Sequence, residues 1–414
     1  MKIQNLSNEI AISLLETPSF NLNRIHSDNL IETKNSEERV KLLLVRDLSR
    51  LNWNIEKSRN KFVMSPPSYY NKEIIKQSMN ISRQEILNKN REWIEKHIYS
   101  AKKNLARGND ILKSEILPRI EICKTQKQHD LFRIFRYYWS SPYSEYVGRR
   151  IRILIKDDGI DSSPIIGIAA LGSSIIHIPD RDKWIGWDKE TRTNNIIYTM
   201  DAYVLGALPP YNYLLGGKLL SYILASNEIR EIYKRKYKDK TTIIRERKAD
   251  DLICIFTTSL YGNSSQYNRL RFENRLLYIP IGYTSGYGTL HISNETFFAM
   301  QQLLMEKGIM VTNRFGDGPN WRMRVIRLAS DIIGFDSNIL LQHSFKRGIY
   351  AVPLAKNFRS FLFGKVDKPI YYNLPMQALV KFWKERWLNM RKKNTNIIYR
   401  ILSFNPEDFK IDKA

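Results

Sequence analysis

Cysteine is nearly absent from this 414-residue chain: Cys123 and Cys254 stand far apart and outside any CxxC spacing. That excludes a disulfide framework and a cysteine-built zinc site. Histidine is scarce too, and His26, His97, His129, His177, His291 and His343 form no HxxxH pair and no helical HExxH motif. A metal would have to be assembled from distant residues, and none is expected. Long apolar runs are missing: the longest candidate, Ile165 to Ile178, is interrupted by Gly167, Gly172, Ser173 and Ser174, short of the roughly 18 residues that span a bilayer. The polar start MKIQNLSNEI lacks a signal-peptide core, so a cytoplasmic location without a membrane partner is expected. The glycine-rich GYTSGYG from Gly282 lacks the Walker lysine and its spacing, which argues against nucleoside triphosphate binding and leaves a mobile loop as the reading.

Negative charge is also in short supply. Against 42 Asp and Glu stand 66 Lys and Arg, a formal net charge of +24 with a pI near 9.8. Basic side chains that neutralise phosphates supply most non-specific affinity for nucleic acid, so a polyanion, DNA by default, is the expected partner. A genome bias toward Ile, Asn, Lys and Tyr is the plain alternative, and it explains the lysines better than the many arginines. With 43% apolar residues the chain can bury a sizeable core, in two or three domains.

Three regions are expected. Residues 1–130 read as a helical, winged-helix-like DNA-binding module. Asn35 with Glu38 is a plausible N-cap pair, and Val40, Leu44, Leu48 and Leu51 then share a face. A brief strand over Asn60 to Met64 stops at Pro66-Pro67. Ser82 with Glu85 then looks like a capping box that starts a helix running through Leu87, Ile94, Ile98, Ala101 and Leu105 to Gly108. Residues 131–290 read as a mixed-sheet core: a hairpin of Ile151 to Ile155 and Ile165 to Ala170 about Asp157-Asp158-Gly159, a loop from Ile178 to Trp187, a helix over Lys189 to Tyr198, and strands at Leu252 to Thr257 and Leu276 to Ile281, with a solvated segment from Asn227 to Lys240. Residues 291–414 read as a basic helical region, with helices at Glu295 to Lys307, Arg322 to Ile333 and Leu379 to Lys392, the last carrying Arg386 and Arg391 as nucleic-acid contacts. The fold class expected is α+β.

The most informative segment is Met200 to Ser226, in which an apolar strand breaks at Pro209-Pro210 and re-enters a helix over Gly216-Gly217. Such a helix start offers backbone N–H groups and a positive dipole end to a phosphate or carboxylate. Close helix-to-sheet packing is the alternative for the two glycines. Further on, NSSQYNRLRF from Asn263 resembles the compressed N-x-x-A-x-x-L-Y-x-x-x-G-F signature of the GNAT superfamily of N-acyltransferases. The resemblance implies a mixed acyltransferase-like sheet and a coenzyme A thioester as cofactor, with Gly216, Gly217 and Lys218 at the pyrophosphate turn and Tyr267 as the acid that protonates the departing thiolate. Leu214 and Leu215 depart from the Q/R-x-x-G-x-G/A pattern of that turn. His291 is the best-placed histidine for acid–base work beside Tyr267, and Asp201 is a candidate base by position.

A second resemblance covers about residues 35 to 395. YYWSSPYSEYVGRR from Tyr137, Ile166-Gly167, RDKWIGWD from Arg181, MDAYVLGALPPYNYLLGGKLL from Met200, YNRLRF from Tyr267, GYTSGYG from Gly282, GPNWRMRVIR from Gly318, then His343, Arg347, Pro353-Leu354 and Trp383-Lys384-Glu385-Arg386-Trp387 are similar to the DruA family of the Druantia anti-phage defence system. This implies bacterial antiviral defence beside a helicase and other proteins of a defence operon, with no settled chemistry; a role in processing mobile-element DNA is an alternative.

Two clusters interleave aromatic and basic residues. Arg181 and Asp182 between Trp184 and Trp187 could clamp a phosphate or stack a base, or could be a salt bridge under buried indoles. Trp139, Tyr143 and Tyr146 precede Arg149, Arg150 and Arg152, and strand alternation puts Arg150 and Arg152 on one face and Arg149 on the other. At least one set should be exposed to phosphate.

Overall fold

Among the described residues, Asn35 begins the first helix, Ser36–Ser49: its Oδ1 accepts the N–H groups of Glu37 at 3.0 Å and Glu38 at 3.4 Å, and Val40, Leu44 and Leu48 are buried along one face. The computed structural model describes residues 35–58, 61–68, 70–139, 148–241, 246–311 and 319–411. They form two units. The first takes the described residues of 1–89 and 285–346, the second most of 90–139, 148–284 and 347–411. Tyr143, Tyr146 and Gly318 lie outside the described residues.

In the first unit the expected lone strand is a hairpin, β1 (Asn54–Ser58) against β2 (Lys61–Ser65). Ile55 pairs with Met64 and both are buried, but charged neighbours in NIEKS conceal the strand in sequence. Ser82 with Glu85 does not open a helix. A helix spans Lys72–Lys89, begun by Asn71, whose side chain accepts the Ile74 N–H at 2.8 Å; Ser82 lies in its middle, where the S-x-x-E spacing has no capping role. A separate helix, Arg91–Lys103, follows in the second unit, where Gly108 starts the helix Gly108–Lys113 instead of ending one. The expected helices near 295 and 322 are present as Asn294–Glu306 and Pro319–Ile333.

The second unit is built on a seven-stranded mixed sheet, which with the surrounding helices makes the fold α+β. Its strands are β3 (Pro118–Ile122), β4 (Arg150–Asp157), β5 (Ile165–Ser173), β6 (Thr199–Ala207), β7 (Cys254–Ser259), β10 (Ile279–Tyr283) and β11 (Gly348–Pro353). A two-stranded hairpin, β8 (Arg271–Phe272) with β9 (Arg275–Leu276), lies outside the sheet. The order is β10-β11-β7-β6-β5-β4-β3, antiparallel except for β6 with β7. The expected β4–β5 hairpin is present. β5 is apolar or small at nearly every position because both its faces are covered.

The parallel pair requires a crossover, and the helices Gly216–Leu224 and Asn227–Tyr237 make it. The first is buried almost throughout and packs directly on the sheet: a Cβ on Gly167 would lie 2.7 Å from a methyl of Leu220 and 2.4 Å from the Gly206 carbonyl. Asn227–Tyr237 is not simply solvated, since Ile229, Ile232, Tyr233 and Tyr237 are buried along one face. The loop expected from Ile178 to Trp187 contains a helix, Pro179–Ile185, with proline at its first turn and Gly186 closing it at φ +93°. These are ordinary start and stop signals. No helix among the described residues is long and apolar enough to cross a membrane.

Candidate functional site

β6 runs out at Ala207, the chain turns through a cis Pro209-Pro210 bond, and Leu215 takes a left-handed conformation at φ +59° before the helix Gly216–Leu224 begins. Both glycines are closely packed. A Cβ on Gly216 would stand 2.7 Å from the Tyr211 carbonyl oxygen, and one on Gly217 2.9 Å from Oε1 of Gln266. The next residue carries the chemistry. Lys218 is 8% exposed, and its Nζ donates to the carbonyl oxygens of Ser265 and, at 3.4 Å, of Asn268.

That ammonium lies 4.8 Å from the Trp387 ring centroid, and the Arg386 guanidinium lies 5.0 Å from the same ring. Arg269, exposed and held at φ +62°, follows the Asn268 carbonyl that receives the ammonium. Burial, then the positive charges of Arg386 and Arg269, push Lys218 down to about 8. Among the described residues, no carboxylate forms an ion pair with Lys218, Arg269 or Arg386. Three cations thus converge beside a helix start without an anionic partner, the electrostatic setting that favours a bound anion. Trp383 anchors the wall by donating from Nε1 to the Leu215 carbonyl at 3.3 Å.

Tyr267 is 7% exposed, stacked on Tyr278 with centroids 5.2 Å apart, and its hydroxyl accepts from Thr257 Oγ1 at 3.4 Å. Burial pushes its pKa up. The segment around it is a series of turns and not a helix. Asp201 is buried on β6, where Oδ2 accepts the Ile175 N–H at 2.9 Å, and burial raises its carboxyl to about 6 against that hydrogen bond and the Arg181 charge. Asp201 pairs in register with Phe256, whereas Thr257, which reaches Tyr267, pairs with Ala202. Alternation therefore places Asp201 and Tyr267 on opposite faces of the sheet. His291 belongs to the first unit, stacked on Trp53 at 5.7 Å and beside His343 at 5.4 Å; burial pushes its imidazole down to about 3.

Arg181 is fully buried. Its guanidinium donates to Asp182 Oδ1 at 2.9 and 2.7 Å, to the Ile175 carbonyl at 2.6 Å and to the Ile176 carbonyl at 3.1 Å. Trp187 is buried and donates to the Leu362 carbonyl at 2.6 Å, while Trp184 stacks on Phe358 at 5.3 Å under Arg359. Arg149 donates to the carbonyls of Ile197 at 2.6 Å and Thr199 at 3.2 Å and also meets the Tyr233 hydroxyl. Arg150 and Arg152 share a face of β4, Arg150 exposed and Arg152 partly so. Lys236 is lowered by burial and by the positive charges of Lys240, Arg150 and Arg152, so a second basic patch lies at this strand. Arg391 is half-buried in the short helix Asn389–Arg391.

Lys236 and Lys240 carry no motif that singles them out in sequence, and Arg269, although it lies within YNRLRF, is not marked there as a contact. Among the described residues, no group of three or more His, Cys, Asp or Glu side chains could hold a metal ion.

No solved structure matches this chain. The family model described as "Druantia protein DruA" matches residues 69–364. A curated relative, Druantia protein DruA of Escherichia coli (strain UMEA 4076-1), is 35% identical over 322 residues, covering 77% of this chain and 79% of the relative. The match takes in β4, β6, the Lys218 turn and Arg269, and on this extent the chain belongs to the Druantia DruA family.

Proposed function

We propose that this protein binds nucleic acid, DNA first of all, as a component of the Druantia anti-phage defence system and works beside a helicase partner. The observation that carries the reading is the convergence of Lys218, Arg269 and Arg386 with no carboxylate among them. A fold that buries an ammonium against like charges bears an electrostatic cost that a bound phosphate offsets. The net charge of +24 and the patch of Arg150, Arg152, Lys236 and Lys240 extend the attraction over the surface. Binding of labelled duplex and single-stranded DNA to the full chain, followed by fluorescence anisotropy, tests this. Affinity should fall roughly tenfold or more between about 50 and 200 mM salt as counterions are released. Absence of binding to either form at low salt would remove the proposal.

An N-acyltransferase-like activity is the second reading, supported by the parallel β6–β7 pair with its crossover helix starting at Gly216. Tyr267 would be its acid and the Gly216-Gly217-Lys218 turn its coenzyme A site. Incubation with acetyl-coenzyme A and an amine acceptor, read as release of the free coenzyme A thiol, separates the readings, because thioester turnover belongs to the second alone.

A further inference from the structure

We infer that the Lys218 pit is a receptor for a terminal phosphate monoester, carried on the end of a nucleic-acid strand or on a free nucleotide. The inference deepens the nucleic-acid reading and rests on it for the strand-end source. Its three cations lie at different depths. Lys218 is nine-tenths buried, while Arg269 and Arg386 stand exposed beside it. An internal phosphodiester continues as chain on both sides and is met by exposed side chains. A monoester hangs from one tether, presents three terminal oxygens and carries between one and two negative charges at neutral pH, so it alone can descend to a recessed ammonium.

The donor count fits. A lysine ammonium has three protons, and the carbonyls of Ser265 and Asn268 receive two of them. The third, together with the two guanidinium forks, would serve a compact anion. Trp387 supplies an apolar wall under both Lys218 and Arg386, which limits water beside the bound group and strengthens each charge-assisted contact.

The test compares one short single-stranded DNA with a 5′-hydroxyl, a 5′-phosphate or a 3′-phosphate end, measured by anisotropy on the full chain, with a nucleoside 5′-monophosphate as competitor. Wild type should prefer a phosphorylated end by about tenfold or more, the effect of one strong charge-assisted hydrogen bond. The variant Lys218→Met, whose folding is checked by circular dichroism, should bind both ends alike, whereas Arg269→Gln/Arg386→Gln, whose two side chains are exposed, should bind both ends more weakly. Equal affinity for both ends in wild type, or a preference that survives in Lys218→Met, would overturn the inference. Displacement by the mononucleotide at matching concentration assigns the pit to free nucleotides, and failure to displace assigns it to strand ends; either supports a monoester receptor. DNA binding without end preference removes only the pit, whereas mononucleotide binding without any DNA binding removes the nucleic-acid reading and retains the pit.

Discussion

Arg181 and Lys218 are both buried cations of the second unit, and they are satisfied in opposite ways. Arg181 meets a carboxylate with two donors and two carbonyls with the rest. Asp182 is in turn held by Arg192 at 2.9 Å and His177 at 2.9 Å. That network is closed around Arg181, each of whose nitrogens donates inside the protein, and it holds the helix Pro179–Ile185 against the segment after β5. Lys218 has only carbonyl oxygens and an indole, with two guanidinium groups for company. Burial alone therefore does not mark a cation as structural; what neutralises it does.

The largest expected effect is on the closed network. Arg181→Met should lower unfolding stability by about 2–4 kcal/mol, since it takes one cation from Asp182, which keeps Arg192 and His177, and leaves two carbonyls unpaired in the core. Urea unfolding reads this, and a loss below about 1 kcal/mol would erase the contrast. A smaller effect is expected from pH. With Lys218 lowered to about 8 from an ordinary 10.5, the folded protein sheds that proton between those values while the unfolded chain keeps it. Its contribution to stability therefore rises with pH across that window, by about 1–3 kcal/mol. Thermal unfolding at a series of pH values should show the rise, and it should be flattened in Lys218→Met and blunted by saturating inorganic phosphate.

Asp201 has the converse slope in acid. Its carboxyl is raised from 3.8 to about 6, so the folded state holds the proton longer, and its contribution to stability falls as pH rises from the lower value to the upper. Asp201→Asn should remove that slope, a change on the order of 1–2 kcal/mol read by urea unfolding across the window. The smallest stability change is predicted for Lys218→Met at neutral pH. Loss of an unmatched buried charge and loss of two carbonyl contacts oppose each other, leaving a net within about 1 kcal/mol while DNA affinity falls.

The sheet was legible wherever patterning was local. The β4–β5 hairpin shows itself by two apolar runs about Asp157-Asp158-Gly159, and the crossover helix by its unbroken apolar face after Gly216-Gly217. Errors arose where one local signal has two meanings. Ser82-x-x-Glu85 occurs inside a helix as readily as at its start, and Gly108 sits where its missing Cβ leaves room for the Ile401 carbonyl, 1.8 Å from where that atom would be, not where a helix stops. Charge hid the buried stripe of Asn227–Tyr237. At the site, Lys218 and Arg386 could be singled out one at a time, but their meeting on Trp387 joins residues about 170 positions apart through tertiary packing, which no spacing rule expresses. The sheet face of Asp201 relative to Tyr267 likewise depends on the register of β6 against β7.

The difference between a closed cation network and an open one is tested most directly by the salt dependence of DNA binding. With log affinity plotted against log salt for wild type and for Arg269→Gln/Arg386→Gln, the variant should bind more weakly and with a slope shallower by about 1 to 2, because fewer phosphate contacts release counterions. A variant with unchanged affinity and unchanged slope would contradict the assignment of Lys218, Arg269 and Arg386 to nucleic acid.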